Sequence, residues 1–148
     1  VSCLTELISN GDFSNGTTDW TVNGGTLAVT NGQLCTTAGN NANAIAIWPD
    51  NGATKGTKLA SGETYTLSYQ ATVTAGSVSQ FVVTVGQAVS PYNADAQFNG
   101  DKPATTQMTF THTFTMTTTD FAAGLAFSFV ATGSGATVCL DNVSLTGP

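Results

Sequence analysis

Apolar and polar residues alternate along much of this chain with a period of two, the repeat of a half-buried strand. In 107–117, Met108, Phe110, His112, Phe114 and Met116 share one face, while Thr109, Thr111, Thr113, Thr115 and Thr117 share the other. In 64–73, Tyr65, Leu67, Tyr69, Ala71 and Val73 oppose Thr66, Ser68, Gln70 and Thr72. Leu125, Phe127 and Phe129 likewise oppose Ala126 and Ser128. The pattern predicts strands over 6–8, 26–30, 33–37, 44–48, 64–74, 80–85, 107–117, 125–130 and 136–145. Between them NGD, NGG, TNGQ, DNG, SGE, AGS and GSG supply residues that tolerate positive φ in turns. No window holds a 3.6-residue period long enough for a helix. Many short strands with such turns predict an all-β antiparallel sandwich or barrel. No linker or fixed-period repeat divides the chain, so residues 1–148 are expected to form one domain. His112, on an apolar face, reads as a satisfied core histidine. The alternation orients neither Phe98 nor Phe121.

Composition narrows the function. Of 148 residues only 8% are charged, and nine acids against three lysines leave a net charge of −6 with no arginine. A phosphate-binding surface needs the opposite balance, so neither nucleic acid nor an anionic membrane is an expected partner. No apolar run approaches the roughly 18 residues of a spanning helix. The start at Val1 has neither the basic nor the apolar region of a signal peptide. Thr, Ser, Asn and Gly supply the polarity, which predicts a secreted, extracellular module whose leader has been removed. Cys3, Cys35 and Cys139 match no zinc spacing and allow at most one internal bridge. Cys35 and Cys139 both sit in strand-like contexts, QLC and TVCL. Either they pair, closing a loop of about 100 residues, or all three thiols stay free.

Catalysis is not expected. Paired carboxylates spaced for glycoside hydrolysis are missing from any one strand face, since Glu6 and Glu63 are the only glutamates. There is no G-x-S-x-G, and one histidine serves neither a triad nor a metal hydrolase. What stands out instead are aromatics that alternation does not bury. Trp48 ends the strand Ala44–Trp48 before PDNG, and Tyr92 lies in the polar loop SPYNADAQFNG. An aromatic ring stacks on the C–H face of a pyranose, and neutral amides match its hydroxyls without the desolvation cost of ions. Trp48 and Tyr92 are therefore the candidate stacking surface, with Gln87, Asn93, Asp50 and Gln70 as hydroxyl partners. The competing reading makes each ring a cap on the core.

LISNGDFSNGTTDW, NGQLC, ETYTLSYQA, VGQ with the following PY, and CLDNVSL, in this order, resemble family 4 carbohydrate-binding modules of bacterial cellulases and related β-glucanases. The resemblance runs from about Leu7 to Leu145. It implies a β-jelly-roll sandwich of two antiparallel sheets, with a groove across one sheet that holds a single neutral β-glucan chain. The linkages implied are β-1,4 or mixed, as in amorphous cellulose, or β-1,3. It also implies a monomeric module tethered to a secreted glycoside hydrolase. Cys35 and Cys139 match the family's disulfide, and Tyr92 matches a groove-lining aromatic. Asn23 falls where cellulose binders place a second tyrosine. Gly124 and Ser128 fall at their groove glutamines, and Val82 near their groove arginine. Trp48 is the expected replacement platform, and Trp20 falls at a core position. The resemblance further implies one structural calcium, held by the carbonyls of Asp12 and Gly32 and the side chain of Asp141. From a different class, the alternative function is a structural or adhesive cell-surface sandwich without a sugar ligand.

Overall fold

The computed structural model describes residues 3–50 and 56–148. Lys55 and the second half of the DNG turn lie outside the described residues. Among the described residues ten strands follow in order: β1 (Thr5–Glu6), β2 (Thr21–Asn23), β3 (Thr26–Thr30), β4 (Gln33–Ala38) and β5 (Asn43–Trp48), then β6 (Thr57–Leu59), β7 (Thr64–Gln87), β8 (Ala94–Phe98), β9 (Met108–Thr115) and β10 (Asp120–Gly147). The predicted strands 64–74 and 80–85 are one element, β7, and 125–130 and 136–145 are one element, β10. Strands β2, β6 and β8 escape a reading by alternation because they span only three to five residues each.

All pairings are antiparallel. The second half of β7 pairs with β8 and with the first half of β10, which pairs in turn with β5, and β5 with β2. This makes a sheet ordered β2-β5-β10-β7-β8. The first half of β7 pairs with β9 and with the second half of β10, whose other neighbours are β4 and β1, and β4 carries β3. The second sheet is thus ordered β3-β4-β10-β7-β9. Both long strands pass from one sheet to the other, and they do so together. At that passage the register shifts between Thr132 and Ala136, opposite Ser77 and Gly76. Gly76 has φ +68°, and a Cβ there would stand 1.9 Å from the carbonyl oxygen of Gly135. Only a glycine permits that approach.

Between the sheets lies one core. Leu67, Tyr69, Ala71, Val83, Val85, Phe127, Phe129, Leu34, Leu140 and Leu145 are buried within it. Trp20 is buried as expected, stacked on Phe127 with ring centroids 6.2 Å apart. Cys35 and Cys139 face each other across β4 and β10 and are disulfide-bonded, which decides between the two cysteine readings; Cys3 is free and exposed. His112 is half-buried on β9, stacked on Phe98 at 4.0 Å, and its Nε2 lies 2.6 Å from Asp101 Oδ2. The same carboxylate oxygen accepts from the Tyr69 hydroxyl. These four side chains close the open side of the sandwich between β8 and β9.

Candidate functional site

The outward face of the sheet β2-β5-β10-β7-β8 carries a cavity of about 380 Å³. Its floor comes from alternation: Ile45 and Ile47 of β5, Ala126 of β10 and Thr84 of β7 point outward because their strand neighbours point into the core. Asn23 of β2 completes one side. The opposite end is walled by Trp48–Asp50 and by the segment from Gln87 to Tyr92. Two close-packed glycines let these walls sit tight on the strands. A Cβ on Gly124 would meet the Trp48 carbonyl oxygen at 2.7 Å, and one on Gly86 the Asn93 carbonyl oxygen at 2.6 Å.

Tyr92 stands at the rim, 70% exposed, on a turn closed by its own N–H to the Val89 carbonyl at 2.8 Å. Its φ of +60° is in the left-handed region. Gln87 lines the cavity, and its Oε1 accepts from the Asn93 N–H at 3.2 Å. Asn93 is exposed and does not line the cavity; its carbonyl accepts from the Gln87 N–H at 2.9 Å. Asp50 lines the cavity with an exposed side chain, on a backbone fixed by its N–H to the Asp19 carbonyl. It is the one ionic side chain among the described lining residues.

Two expected ligand-binding residues are corrected. Trp48 is 3% exposed, and its indole N–H donates to Ser9 Oγ at 3.1 Å. The ring points into the core with Ala44 and Ala46, and Ile45 and Ile47 take the groove face. A strand of alternating alanine and isoleucine does not reveal which face is inner, and the turn after Trp48 falsely suggested exposure. Gln70 belongs to the opposite sheet, in the half of β7 that pairs with β9. There its Oε1 accepts from Asn142 Nδ2 at 2.7 Å and from Gln107 Nε2 at 3.2 Å. The floor residues Ile45, Ile47, Thr84 and Ala126 were missed, although the same alternation that misled on Trp48 exposes them once the sheets are assigned.

The three positions expected to hold calcium border one stretch of β10. Gly32 lies in the turn two residues before Leu34, which faces Leu140. Asp12 follows Gly11, whose carbonyl accepts from the Val143 N–H at 2.9 Å. Asp141 Oδ1 accepts from the Asn142 N–H at 2.8 Å. The Asp12 carboxylate turns instead to the N–H and hydroxyl of Ser14, and those bonds lower its pKa. Among the described residues no three His, Cys, Asp or Glu side chains converge, so a cation here would rest on one carboxylate and on turn carbonyls. Glu6 already joins the chain ends, its Oε1 accepting from the N–H groups of Ile8 and Leu145.

A family model for carbohydrate binding domains, CBM_4_9, matches residues 5–133. Among solved structures, a CBM4 module is similar with a TM-score of 0.74 and 24% identity, over 92% of this chain and 99% of that one. The N-terminal cellulose-binding domain of Cellulomonas fimi β-1,4-glucanase C is similar with a TM-score of 0.68 and 25% identity, over 92% and 96% of the two chains. The CBM22-1 xylan-binding domain of a Paenibacillus barcinonensis protein shares the fold, with a TM-score of 0.65 and 16% identity over 99% and 97%. No curated protein sequence matches. With a jelly roll, a groove across one sheet and a family match over most of its length, the chain belongs to the carbohydrate binding domain family CBM_4_9 and is a non-catalytic binding module.

Proposed function

We propose that this module binds single chains of a neutral β-glucan in the groove above Ile45, Ile47, Thr84 and Ala126, and that it holds a secreted glycoside hydrolase near its substrate. One observation carries the reading: a groove nearly free of charge, with an exposed tyrosine ring at its rim. Aliphatic side chains suit the C–H faces of pyranose rings, and Asn23, Thr84, Gln87 and Asp50 offer bonds to hydroxyls at the edges. The likeness to a cellulose-binding domain of a β-1,4-glucanase supports a glucan and a tethered enzyme. The disulfide supports an extracellular setting. A calcium ion held by Asp141 and the carbonyls of Asp12 and Gly32 would tie the N-terminal turns to β10, away from the groove.

Affinity electrophoresis in gels containing barley β-glucan, hydroxyethylcellulose, laminarin or xylan tests the reading. Retardation is expected on at least one of the first three. Retardation on xylan alone would replace the glucan with another neutral chain. Unchanged mobility on all four would favour the structural or adhesive sandwich.

A further inference from the structure

β8 contains one residue more than its partner strand allows. Val85 of β7 faces Ala96, yet the next residue, Gly86, faces Ala94, so Asp95 is bulged out of the ladder. A bulge re-aims a side chain. Ala96 and Phe98 pack on the core from one face of β8, and the bulge leaves Asp95 turned inward as well, half-buried. There it meets Asp120, the first residue of β10, which is 4% exposed. Asp120 Oδ1 accepts from the Ala122 N–H at 2.8 Å. The Oδ2 atoms of both residues are out of contact with solvent, and neither finds a donor among the described residues.

We propose that Asp95 and Asp120 share one proton and thereby form a pH-sensitive clasp between β8 and β10, just behind the groove wall that carries Tyr92. Two adjacent buried carboxylates cannot both ionise cheaply, and a proton between them serves both partnerless oxygens. Burial first, then the hydrogen bond and the charge of Asp120, push the pKa of Asp95 up to about 7.

Nothing described nearby compensates the charge. On β6, which faces Asp120 through Leu59, Lys58 is turned outward with its Nζ 5.6 Å from the centre of the Phe121 ring. Residues 83–87 of β7, 94 and 96–98 of β8, and 121–125 of β10 include no ionisable side chain. Tyr65, beneath β6, has its hydroxyl engaged by the Ala60 N–H. Asp50, at the cavity, adds only further negative charge.

The sign follows from a folded-state pKa raised above the unfolded value of about 3.9. The pair costs nothing below about pH 4. Its ionisation penalises the folded state increasingly between about pH 4 and 7, and the clasp is lost as pH rises through 7. Only Asn93 and Ala94 separate Asp95 from Tyr92, so loosening the clasp loosens the rim. Glucan binding should weaken over the same interval, a consequence that rests on the function proposed above.

The test is thermal unfolding from pH 4 to 8.5 of the wild type and of Asp95→Asn, whose amide donates to Asp120 at every pH. The wild type should lose melting temperature up to about pH 7, and the variant should not, so that at pH 8 the variant melts roughly 5 °C higher. Parallel curves would overturn the clasp. In case the variant does not fold, carboxyl-carbon NMR titration of the wild type provides a second measurement. One of the two aspartates should titrate near 7, and two titrations below 5 would overturn the proposal. Millimolar calcium that restores the wild type at pH 8 by more than it shifts the variant would also overturn it, making the pair a cation site. A clasp that titrates as expected in a protein retarded by no glucan would uphold the proton and fail only the glucan.

Discussion

Tyr92 and Trp48 show how far a single residue can be read. Both are large, both precede or follow a proline, and both sit where a strand gives way to a turn. One is 70% exposed and the other 3%. The loop after Tyr92 is mostly polar, which favours the exposed reading of this ring over the core cap. The partners of Trp48 are the Ser9 hydroxyl and the core between the sheets, both fixed by contacts remote in sequence. Tyr92→Ala should weaken binding to the best glucan by about 5- to 150-fold, the effect of losing roughly 1–3 kcal/mol of apolar contact. Its melting temperature should match the wild type, and titration calorimetry alongside a melt checks both halves. Trp48→Ala should instead cost about 3–5 kcal/mol of stability in a urea titration, the usual loss for a large aromatic cut from a core. Retained stability with lost binding would return that ring to the groove.

Strands were easier to read than their partners. The inward rows of β7 and β10 stand out because each repeats over several residues, and Leu67 and Phe127 are buried as the pattern requires; along β9 the row holds less well, with Phe110, His112 and Phe114 half-buried and Met108 41% exposed at the strand's start. Alternation carries no information about which sheet a row belongs to. Gln70 therefore looked like a groove residue although its half of β7 lies in the other sheet. Nor does it reveal a bulge, and so Asp95 gave no sign of facing inward. The disulfide belongs to this scale, because it staples β4 to β10 across 104 residues of sequence. Removing it in a Cys35→Ser, Cys139→Ser double variant should cost about 4–5 kcal/mol in the chain-entropy model, measured as a lowered urea midpoint. The proposed calcium should act on the same strand. The melting temperature should rise with added calcium and fall with chelator, and Asp141→Asn should lose that response. A wild type indifferent to both would remove the ion from this fold.

For the whole molecule, few charges and threonine-rich outer rows leave a sparsely charged, acidic surface, and hydroxyl pairs such as Thr64 with Thr115 and Thr37 with Thr137, each at 2.9 Å, line adjacent strands outside the groove. Such a surface attracts few partners by charge, which leaves recognition to shape and stacking in one place. β10 has a further consequence. The last strand of the chain is an inner strand of both sheets, paired with β7 along most of its length and with β1, β4, β5 and β6 besides. Until Asp120–Gly147 is available, neither sheet has a middle, and β4 and β5 have lost the neighbour that separates them from β7. A ribosome making this segment therefore gains almost nothing by pausing early. The module assembles in one late event dominated by contacts distant in sequence, which is the slow regime of folding, and a nascent chain stopped short of residue 120 should be food for proteases rather than a partial binder.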